Sequence, residues 1–223
     1  MYVSSPYFSP TDMGVNMVGF GIEDDAAVCE ASKQEIIRRY YQALKLNIIG
    51  SFNDEAVTKE QMLMNRLNLS TNDRKTVKVA NEKSKKANAP IIALELPDGH
   101  VVTGKRSTLL SASAAMLLNA TKYLANIGDG IHLISPNVIK PVQDLKVGTL
   151  KNANPKIRAN EILVALAIQA SSNPLAELAV SKLKELDGCE AHSSSLMSVN
   201  DLNTLTKLGI RVTEEPTNFV SQN

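Results

Sequence analysis

The chain has 223 residues, of which 43% are hydrophobic and 21% are charged, as is usual for a folded globular protein rather than a disordered one. Its 24 Lys and Arg residues almost balance its 23 Asp and Glu residues, which argues against a partner recognised through a general basic field, such as nucleic acid or an anionic membrane. The longest strongly apolar run, residues 162–168, is too short to span a bilayer, because a spanning helix needs about 20 apolar residues.

The first 89 residues are predicted to contain a loop followed by three helices. Two prolines and three glycines interrupt residues 1–25, so we expect a polar lead-in loop there, with at most a short strand near residues 15–22. Apolar residues then recur at helical spacing with charged residues opposite them, which indicates amphipathic helices. The three predicted helices span residues 27–45, 54–67 and 72–88. Together they form a predicted helical subdomain over residues 26–89.

After Pro90 the pattern changes to alternating strands and helices. A hairpin is predicted over residues 91–103, with its turn at residues 97–99. The helix predicted next has Lys122 as its only formal charge, so we expect it to be largely buried. That helix is expected at residues 107–126, and further helices are expected from residue 135 onward and at 159–170, 173–187 and 198–209. Strands are expected at residues 131–134, 189–194 and 210–213.

Strands that alternate with helices are typical of a layered α/β domain. We therefore predict an α/β fold class, in which a layered mixed sheet with flanking helices is joined to the small helical subdomain. The α/β domain is expected to cover residues 90–216, and residues 217–223 are expected to form a frayed tail.

The segment from Gly99 to Lys105 has the G-x-x-x-x-G-K spacing of a phosphate-binding loop. Two features argue against such a loop: Arg106 stands where Ser or Thr would hold Mg²⁺, and the valines between the glycines favour a strand. A weaker anion-binding site is predicted at Lys105, Arg106 and Ser107. These residues enter the N-terminus of a predicted helix, where backbone N–H groups and the helix dipole favour an anion. The alternative is a helix cap with two solvent-facing cations, and both interpretations stay open.

Cys189, Glu190 and His192 form a second cluster of reactive residue types. On a strand, the period of two places Glu190 and His192 on one face and Cys189 on the other. Glu and His can exchange protons, so these two are the predicted catalytic residues. A metal site would have to add Cys29 or another histidine, and the H-x-E and P-C-x-x-C motifs of the zinc deaminases are missing. We therefore predict no metal site, and the sequence identifies no cofactor.

Two charged residues of the first predicted helix project on its apolar side, namely Glu30 and Lys33. They are predicted to bind a ligand if they line a polar pocket together with Asp12 or Asn16 of the lead-in loop. Alternatively, Lys33 extends past the edge of the core and keeps its ammonium group in water. The sequence leaves both interpretations open.

Five longer segments resemble those of the bacterial family called domain of unknown function 1846. They are PTDMGVNMVGF (residues 10–20), EASKQEIIRRYYQAL (30–44), IALELPDG (92–99), HLISPNVI (132–139) and GCEAHSS (188–194). The resemblance implies that the chain is the C-terminal portion of a longer protein, truncated before an α/β part with a glycine-rich, lysine-containing loop. It also implies a topology similar to cytidine-deaminase-like folds. No activity follows from it, because topology does not carry deamination without the zinc motif.

Two functions are therefore considered. The first is an enzyme, or part of one, that binds a phosphorylated or nucleotide-like small molecule, with Lys105, Arg106 and Ser107 at the anion and Glu190 or His192 moving protons. The second is a non-catalytic assembly module that packs on a missing N-terminal half or on a second copy, which exposed apolar surface would favour. A cytoplasmic location is expected, because the two cysteines are far apart and no secretory signal is present.

Overall fold

The computed structural model describes residues 25–51 and 54–216. Contacts divide the chain into two compact units, residues 1–74 and 75–223. None of the helices in the described part of the chain is long and apolar enough to cross a membrane. Some predicted features lie outside the described residues, namely the lead-in loop, the strand near residues 15–22, Asp12, Asn16 and the tail at 217–223.

The N-terminal unit contains two helices that pack against each other, α1 (Asp25–Leu46) and α2 (Asp54–Arg66). A π-helical turn at Asn47–Ser51 follows α1, and Gly50 within it has a φ of 105°. Such a φ favours glycine because other side chains clash with the backbone there. The buried residues of α1 are Ser32, Ile36, Ile37 and Tyr41, which confirms the predicted apolar face.

A four-stranded mixed sheet forms the centre of the C-terminal unit. Its strands are β1 (Ile91–Glu95), β2 (Val101–Lys105), β3 (Glu190–Ser193) and β4 (Arg211–Glu214). They are arranged in the order β2-β1-β3-β4. The strand β1 is antiparallel to β2 and β3, whereas β3 and β4 are parallel. The predicted hairpin and both later strands are confirmed, and so is the mixed sheet.

Helices cover both faces of this sheet. They are α3 (Lys75–Ala87), α4 (Ala112–Leu124), α5 (Pro136–Asp144), α6 (Ala159–Ala170), α7 (Pro174–Ser181) and α8 (Val199–Lys207). The helix α3 contacts β1 and β3, while α4 packs on β1 and β2 from the other face. The helices α6 and α8 contact each other, and α8 also contacts β4. This arrangement confirms the predicted layered α/β class.

The helix α3 groups with the sheet by its contacts. The sequence predicts a domain boundary at residues 89/90, which stays a prediction, and the contacts divide the chain at residues 74/75, so that α3 falls in the unit with the sheet. Three residues of α3 are buried, namely Thr76, Val77 and Ala80. Helical periodicity shows which face of a helix is apolar, but it does not show whether that face packs on a helix or on a sheet.

Two elements between β2 and α5 also differ from the predictions. The helix expected from residue 107 begins at Ala112, because residues 107–111 form a turn in which Leu110 makes an isolated parallel bridge with Ile157. The strand expected at residues 131–134 is irregular backbone. Its residue Leu133 is buried among helical side chains, so this short apolar run fills a gap between helices.

The N-terminus of α6 is held by acidic side chains from two directions. The buried Asp201 of α8 accepts a 2.7 Å hydrogen bond from the Ala159 N–H. Within α8 itself, the Ser198 hydroxyl is the cap and accepts from the Asp201 N–H, so the Asp201 carboxylate is left to cap the neighbouring helix. Glu161 accepts from the Arg158 N–H and forms a 2.8 Å ion pair with the buried Lys146. Acidic groups are favoured here because they satisfy the N–H groups that a helix start leaves unpaired.

The elements β2 and α4 approach each other closely in the core, at Gly104. A Cβ at this position would overlap the carbonyl oxygen of Ala112 and the backbone nitrogen of Met116. The backbone of α4 therefore lies directly on the strand, and Met116 and Leu117 enter the main hydrophobic cluster beside Val102. This close packing explains the second glycine of the G-x-x-x-x-G-K pattern without a phosphate.

Replacing Gly104 by Ala should destabilise the chain by about 3 kcal/mol or more, because the added methyl group meets backbone atoms rather than flexible side chains. The matched control is Gly128→Ala, where no atom lies within 4 Å of the new Cβ. That control should change stability by less than about 0.5 kcal/mol. Urea unfolding followed by circular dichroism measures both variants. Equal unfolding midpoints for the two variants would contradict the close packing of α4 on β2.

Candidate functional site

A pocket of about 190 Å³ lies beside α4 in the C-terminal unit. Its walls come from α4, α5, α6, the turn before α4 and the irregular segment at residues 131–134. Eight of the eleven lining residues are leucine or isoleucine, and the three polar ones are Asn119, Lys122 and His132. Ligand sites in proteins typically combine a mostly apolar wall with a few placed polar groups.

The helix α4 presents two of these polar groups on one side. Leu118, Asn119 and Lys122 share a face because residues three and four apart are neighbours on a helix. The Nδ2 of Asn119 donates a 2.8 Å hydrogen bond to the Thr103 carbonyl, and this bond orients the side chain. Lys122 is half-buried, and its Nζ donates a 2.7 Å hydrogen bond to the Asp129 carbonyl.

This geometry leaves Lys122 with donors to spare. A lysine ammonium has three N–H donors, so the bond to Asp129 leaves two for another acceptor. The hydrogen bond also holds the ammonium group beside the apolar wall of the pocket. His132 is exposed and adds an imidazole ring to the lining. The pocket can therefore hold a small molecule whose anionic group meets Lys122 and whose body contacts leucine and isoleucine.

The predicted anion site at Lys105, Arg106 and Ser107 spans the end of β2 and the start of the turn that leads to this pocket. Lys105 is exposed at the end of β2, and the Arg106 N–H donates to the Pro90 carbonyl. The Ser107 hydroxyl accepts hydrogen bonds of 3.2 and 2.9 Å from the backbone N–H groups of Leu109 and Leu110.

The helix start that motivated this anion site lies elsewhere. The helix α4 begins at Ala112, and the hydroxyl of Ser111 caps it by accepting from the Ala114 N–H. Lys105 is thus seven residues before the first helical residue. The argument from a helix N-terminus is therefore wrong for these residues, although Leu109 and Leu110 of the same turn do line the pocket. The binding role of Lys105, Arg106 and Ser107 stays a prediction.

The predicted catalytic pair lies on the sheet face that α3 covers. His192 is fully buried, and its Nδ1 shares a 2.8 Å hydrogen bond with the Thr213 hydroxyl on the neighbouring strand. Its Nε2 is 3.9 Å from a Glu215 carboxylate oxygen. Glu190 is half-buried, 3.6 Å from the guanidinium of Arg211. The two residues share a face as predicted.

These catalytic candidates and the pocket are on different sides of the sheet. The pocket is built on α4, which covers the face opposite α3, and neither Glu190 nor His192 lines it. The structure therefore does not bring them together with Lys122. Their proton-transfer role stays a prediction, and any such role belongs to a separate polar cluster under α3.

The predicted ligand-binding residues Glu30 and Lys33 are in the N-terminal unit. They form an ion pair with 3.8 Å between Nζ and Oε2, and about half of each side chain is exposed. Gln34 also donates a hydrogen bond to Glu30. This placement agrees with the interpretation that Lys33 extends past the edge of the core, and a binding role for the pair stays a prediction.

The thiol of Cys189 is poorly suited to chemistry. Burial, together with the smaller effect of the nearby carboxylates of Glu190, Asp187 and Glu95, raises its pKa to about 11. Only 6% of the residue is exposed. Within residues 25–51 and 54–216 no group of three or more His, Cys, Asp and Glu side chains could hold a metal ion.

Local sequence patterns do not predict the pocket, although one of its residues gives a signal. Lys122 is the only formal charge of a helix predicted to be buried, and such a charge needs a partner. Asn119 and His132 gave no signal of their own, because they lie on different elements that only the fold brings together.

Cys189 is expected to resist alkylation in the folded chain. With a pKa of about 11, roughly one thiol in a thousand is ionised at pH 8, against about one in ten for a pKa of 9.0. Because the pKa is raised, the labelling rate at pH 8 should be about a hundredfold below that of an ordinary thiol, and it should rise about tenfold per pH unit until the pH approaches 11. The measurement is iodoacetamide labelling against pH, read by mass spectrometry of the peptide that contains Cys189. The urea-unfolded chain is the control, and equal labelling rates in both states would contradict the burial of this thiol.

Comparisons with known proteins place the chain in a family. A model described as domain of unknown function DUF1846, C-terminal, matches residues 72–223, and one described as DUF1846, N-terminal, matches residues 1–68. The expectation that the chain corresponds only to the C-terminal portion of this family is therefore wrong, because both models match it.

Longer bacterial proteins match most of the chain. A UPF0371 protein of Streptococcus pneumoniae serotype 19F (strain G54) is 51% identical over 212 residues, which cover 95% of this chain and 43% of that protein. UPF0371 proteins of the strains Hungary19A-6 and CGSP14 are 50% identical with the same coverage. The chain thus spans less than half the length of these relatives, and the expected truncation stays a prediction. With both family models matched in order along the sequence, the chain belongs to the DUF1846 family.

Proposed function

We propose that the C-terminal unit binds a small metabolite with an anionic group in the pocket beside α4. The observation that supports this proposal is the position of Lys122, a half-buried cation in a pocket lined mainly by leucine and isoleucine. The sequence also predicts an anionic ligand, but with Lys105 and Arg106 as its cationic partners. The proposed partner is instead Lys122 on α4.

The chemistry of the pocket favours an anion over a neutral ligand. A neutral apolar molecule would displace water from Lys122 and leave its ammonium group in surroundings that solvate charge poorly. A carboxylate or a phosphate accepts charge-assisted hydrogen bonds from the same group, which are about twice as strong as neutral ones. The hydrogen bonds from Lys122 to the ligand's anionic group therefore replace those that the displaced water made to the ammonium group.

The remaining roles predicted from the sequence are kept as proposals. Lys105, Arg106 and Ser107 are a second proposed contact for an anion at the pocket rim, and Glu190 with His192 is the proposed acid–base pair of an enzyme. Asp12, Asn16, Glu30 and Lys33 are kept as proposed ligand-binding residues of the N-terminal part. A phosphorylated ligand, a cytidine-deaminase-like topology and a cytoplasmic location are proposed with them.

A second candidate function, assembly, is favoured by the outer face of α6. The predicted apolar helix buries Ile162 and Leu166, but 59% of Val164 and 53% of Ile168 are exposed. On the neighbouring helix α7, Leu178 is 41% exposed. Apolar side chains exposed together often mark an interface. A second copy of the chain, or sequence present only in the longer relatives, would be the partner.

The anion proposal is tested by thermal unfolding of the full chain with inorganic phosphate, carboxylates, sugar phosphates and nucleotides. A ligand at 100 times its Kd should stabilise the wild type by about 2.7 kcal/mol. The variant Lys122→Met should lose that stabilisation because it removes the charge and keeps most of the side-chain volume, whereas Lys122→Arg should keep part of it. The matched control is Lys140→Met, an exposed lysine of α5 outside the pocket lining.

A double variant, Lys105→Ala with Arg106→Ala, separates the two proposed anion contacts. If the pocket holds the anion, the double variant keeps most of the stabilisation. A ligand whose effect is lost in the double variant and retained in Lys122→Met binds at the turn after β2 and overturns the assignment to the pocket. Absence of any stabilising anion in the panel overturns the binding proposal as a whole.

If α6 mediates assembly with a second copy, the chain should sediment as a dimer, and the double variant Val164→Glu with Ile168→Glu should sediment as a monomer. Two buried like charges would face their symmetry mates across such an interface and disfavour it. The control is Val199→Glu, because Val199 is exposed on a different helix, α8. Analytical ultracentrifugation gives the masses. A monomeric wild type excludes the second copy as the partner.

A further inference from the structure

We infer that the pocket beside α4 takes a short aliphatic acid, a molecule with one anionic head and a hydrocarbon body, and not a nucleotide. This inference rests on the proposed function, since it assigns a class to the ligand that the pocket is proposed to bind. It depends on three features of the pocket: its volume, the nature of its wall and the position of its cation.

The volume limits the ligand to a small molecule. The pocket holds about 190 Å³. Pockets that enclose drug-sized ligands are larger, about 300 to 1,000 Å³. A water molecule occupies about 30 Å³ in the liquid, so the space corresponds to roughly six non-hydrogen groups. A base, a sugar and a phosphate together exceed that number several times, so most of a nucleotide would lie outside the pocket.

The wall favours a hydrocarbon body over a base or a sugar. None of the eleven described lining residues is Phe, Tyr or Trp, so a base would have no such ring to stack on. The aromatic residue beside Lys122 on α4, Tyr123, is already used: its ring stacks on His100 at 4.2 Å and its hydroxyl donates to Asp98. A sugar needs several hydrogen-bonding partners, whereas the lining offers three polar side chains and eight aliphatic ones.

The cation and the aliphatic wall are close enough for one short molecule to reach both. Lys122 follows Leu118 by one helical turn on α4, which corresponds to about 6 Å along the helix axis. Both residues line the pocket, and Ile131 with Ile162 supplies further aliphatic wall. An acid with a short chain can therefore pair its head with Lys122 while its methylene groups displace water from leucine and isoleucine.

The test is a series of unbranched carboxylates from acetate to hexanoate, titrated into the ¹⁵N-labelled full chain and followed by NMR. The Kd is expected to decrease about fourfold for each added methylene group, which is the factor for complete burial of that group. The decrease should stop once the pocket is full. Uncharged amides of the same acids should show the same factor per methylene with weaker binding throughout. A nucleoside monophosphate should not displace hexanoate.

Two variants separate the head from the body of the ligand. Lys122→Met should weaken every acid by a similar factor and leave the fourfold step unchanged. The double variant Leu109→Asn with Ile131→Asn should reduce the step to less than about twofold. Both of these lining residues are about 40% exposed, so their replacement leaves the core intact. The matched control is Leu145→Asn, which is exposed and outside the lining.

The outcomes distinguish this inference from the proposed function. A Kd that stays constant along the series, for acids whose binding still depends on Lys122, overturns the aliphatic class and leaves the anion site standing. Displacement of hexanoate by the nucleotide does the same. Acids that do not bind overturn the aliphatic class as well, and the proposed function is then decided by the panel of other anions. Acids that bind equally well to Lys122→Met overturn the proposed function itself, because Lys122 is its cation. The wild-type series decides on the ligand class even if a lining variant fails to fold.

Discussion

The close contact between β2 and α4 at Gly104 is the constraint on which the C-terminal unit depends. With no side chain between them, the helix backbone lies on the strand, and Met116 with Leu117 reaches the core of the sheet. The same placement fixes the outer side of α4. Asn119 is then within hydrogen-bond distance of the Thr103 carbonyl, and Lys122 reaches the pocket. A packing requirement in the core thus sets the position of the candidate ligand-binding groups.

The two faces of the sheet have different chemistry. The face under α4 is mainly aliphatic, as the cluster around Leu94, Val102 and Ala191 shows. The face under α3 contains His192 and Thr213, which hydrogen-bond across the parallel strands β3 and β4. Buried polar groups that are hydrogen-bonded stabilise one register over its alternatives. This accounts for a buried histidine in the sheet without requiring a reaction at His192.

The helix α6 links the two candidate functions. It contributes Ile162 to the pocket wall and exposes Val164 and Ile168 on its other side. Its N-terminus is fixed by Asp201 and by the ion pair of Lys146 with Glu161. A helix held in this way can present an aliphatic surface on both sides, so binding of a small acid and assembly with a partner do not compete for the same residues.

The sequence by itself determined most of the secondary structure and the family, whereas the candidate site depended on the tertiary structure. The apolar face of α1 and the hairpin of β1 and β2 follow from interactions between residues close in sequence, so local patterns predict them. The start of α4, the irregular residues 131–134 and the true role of Gly104 depend on distant segments. The pocket combines Lys122 with His132 and Ile162, residues from separate elements, and no local pattern records that they meet. Only the packing of these elements brings the three side chains together, because contacts between residues far apart in sequence determine where each element lies.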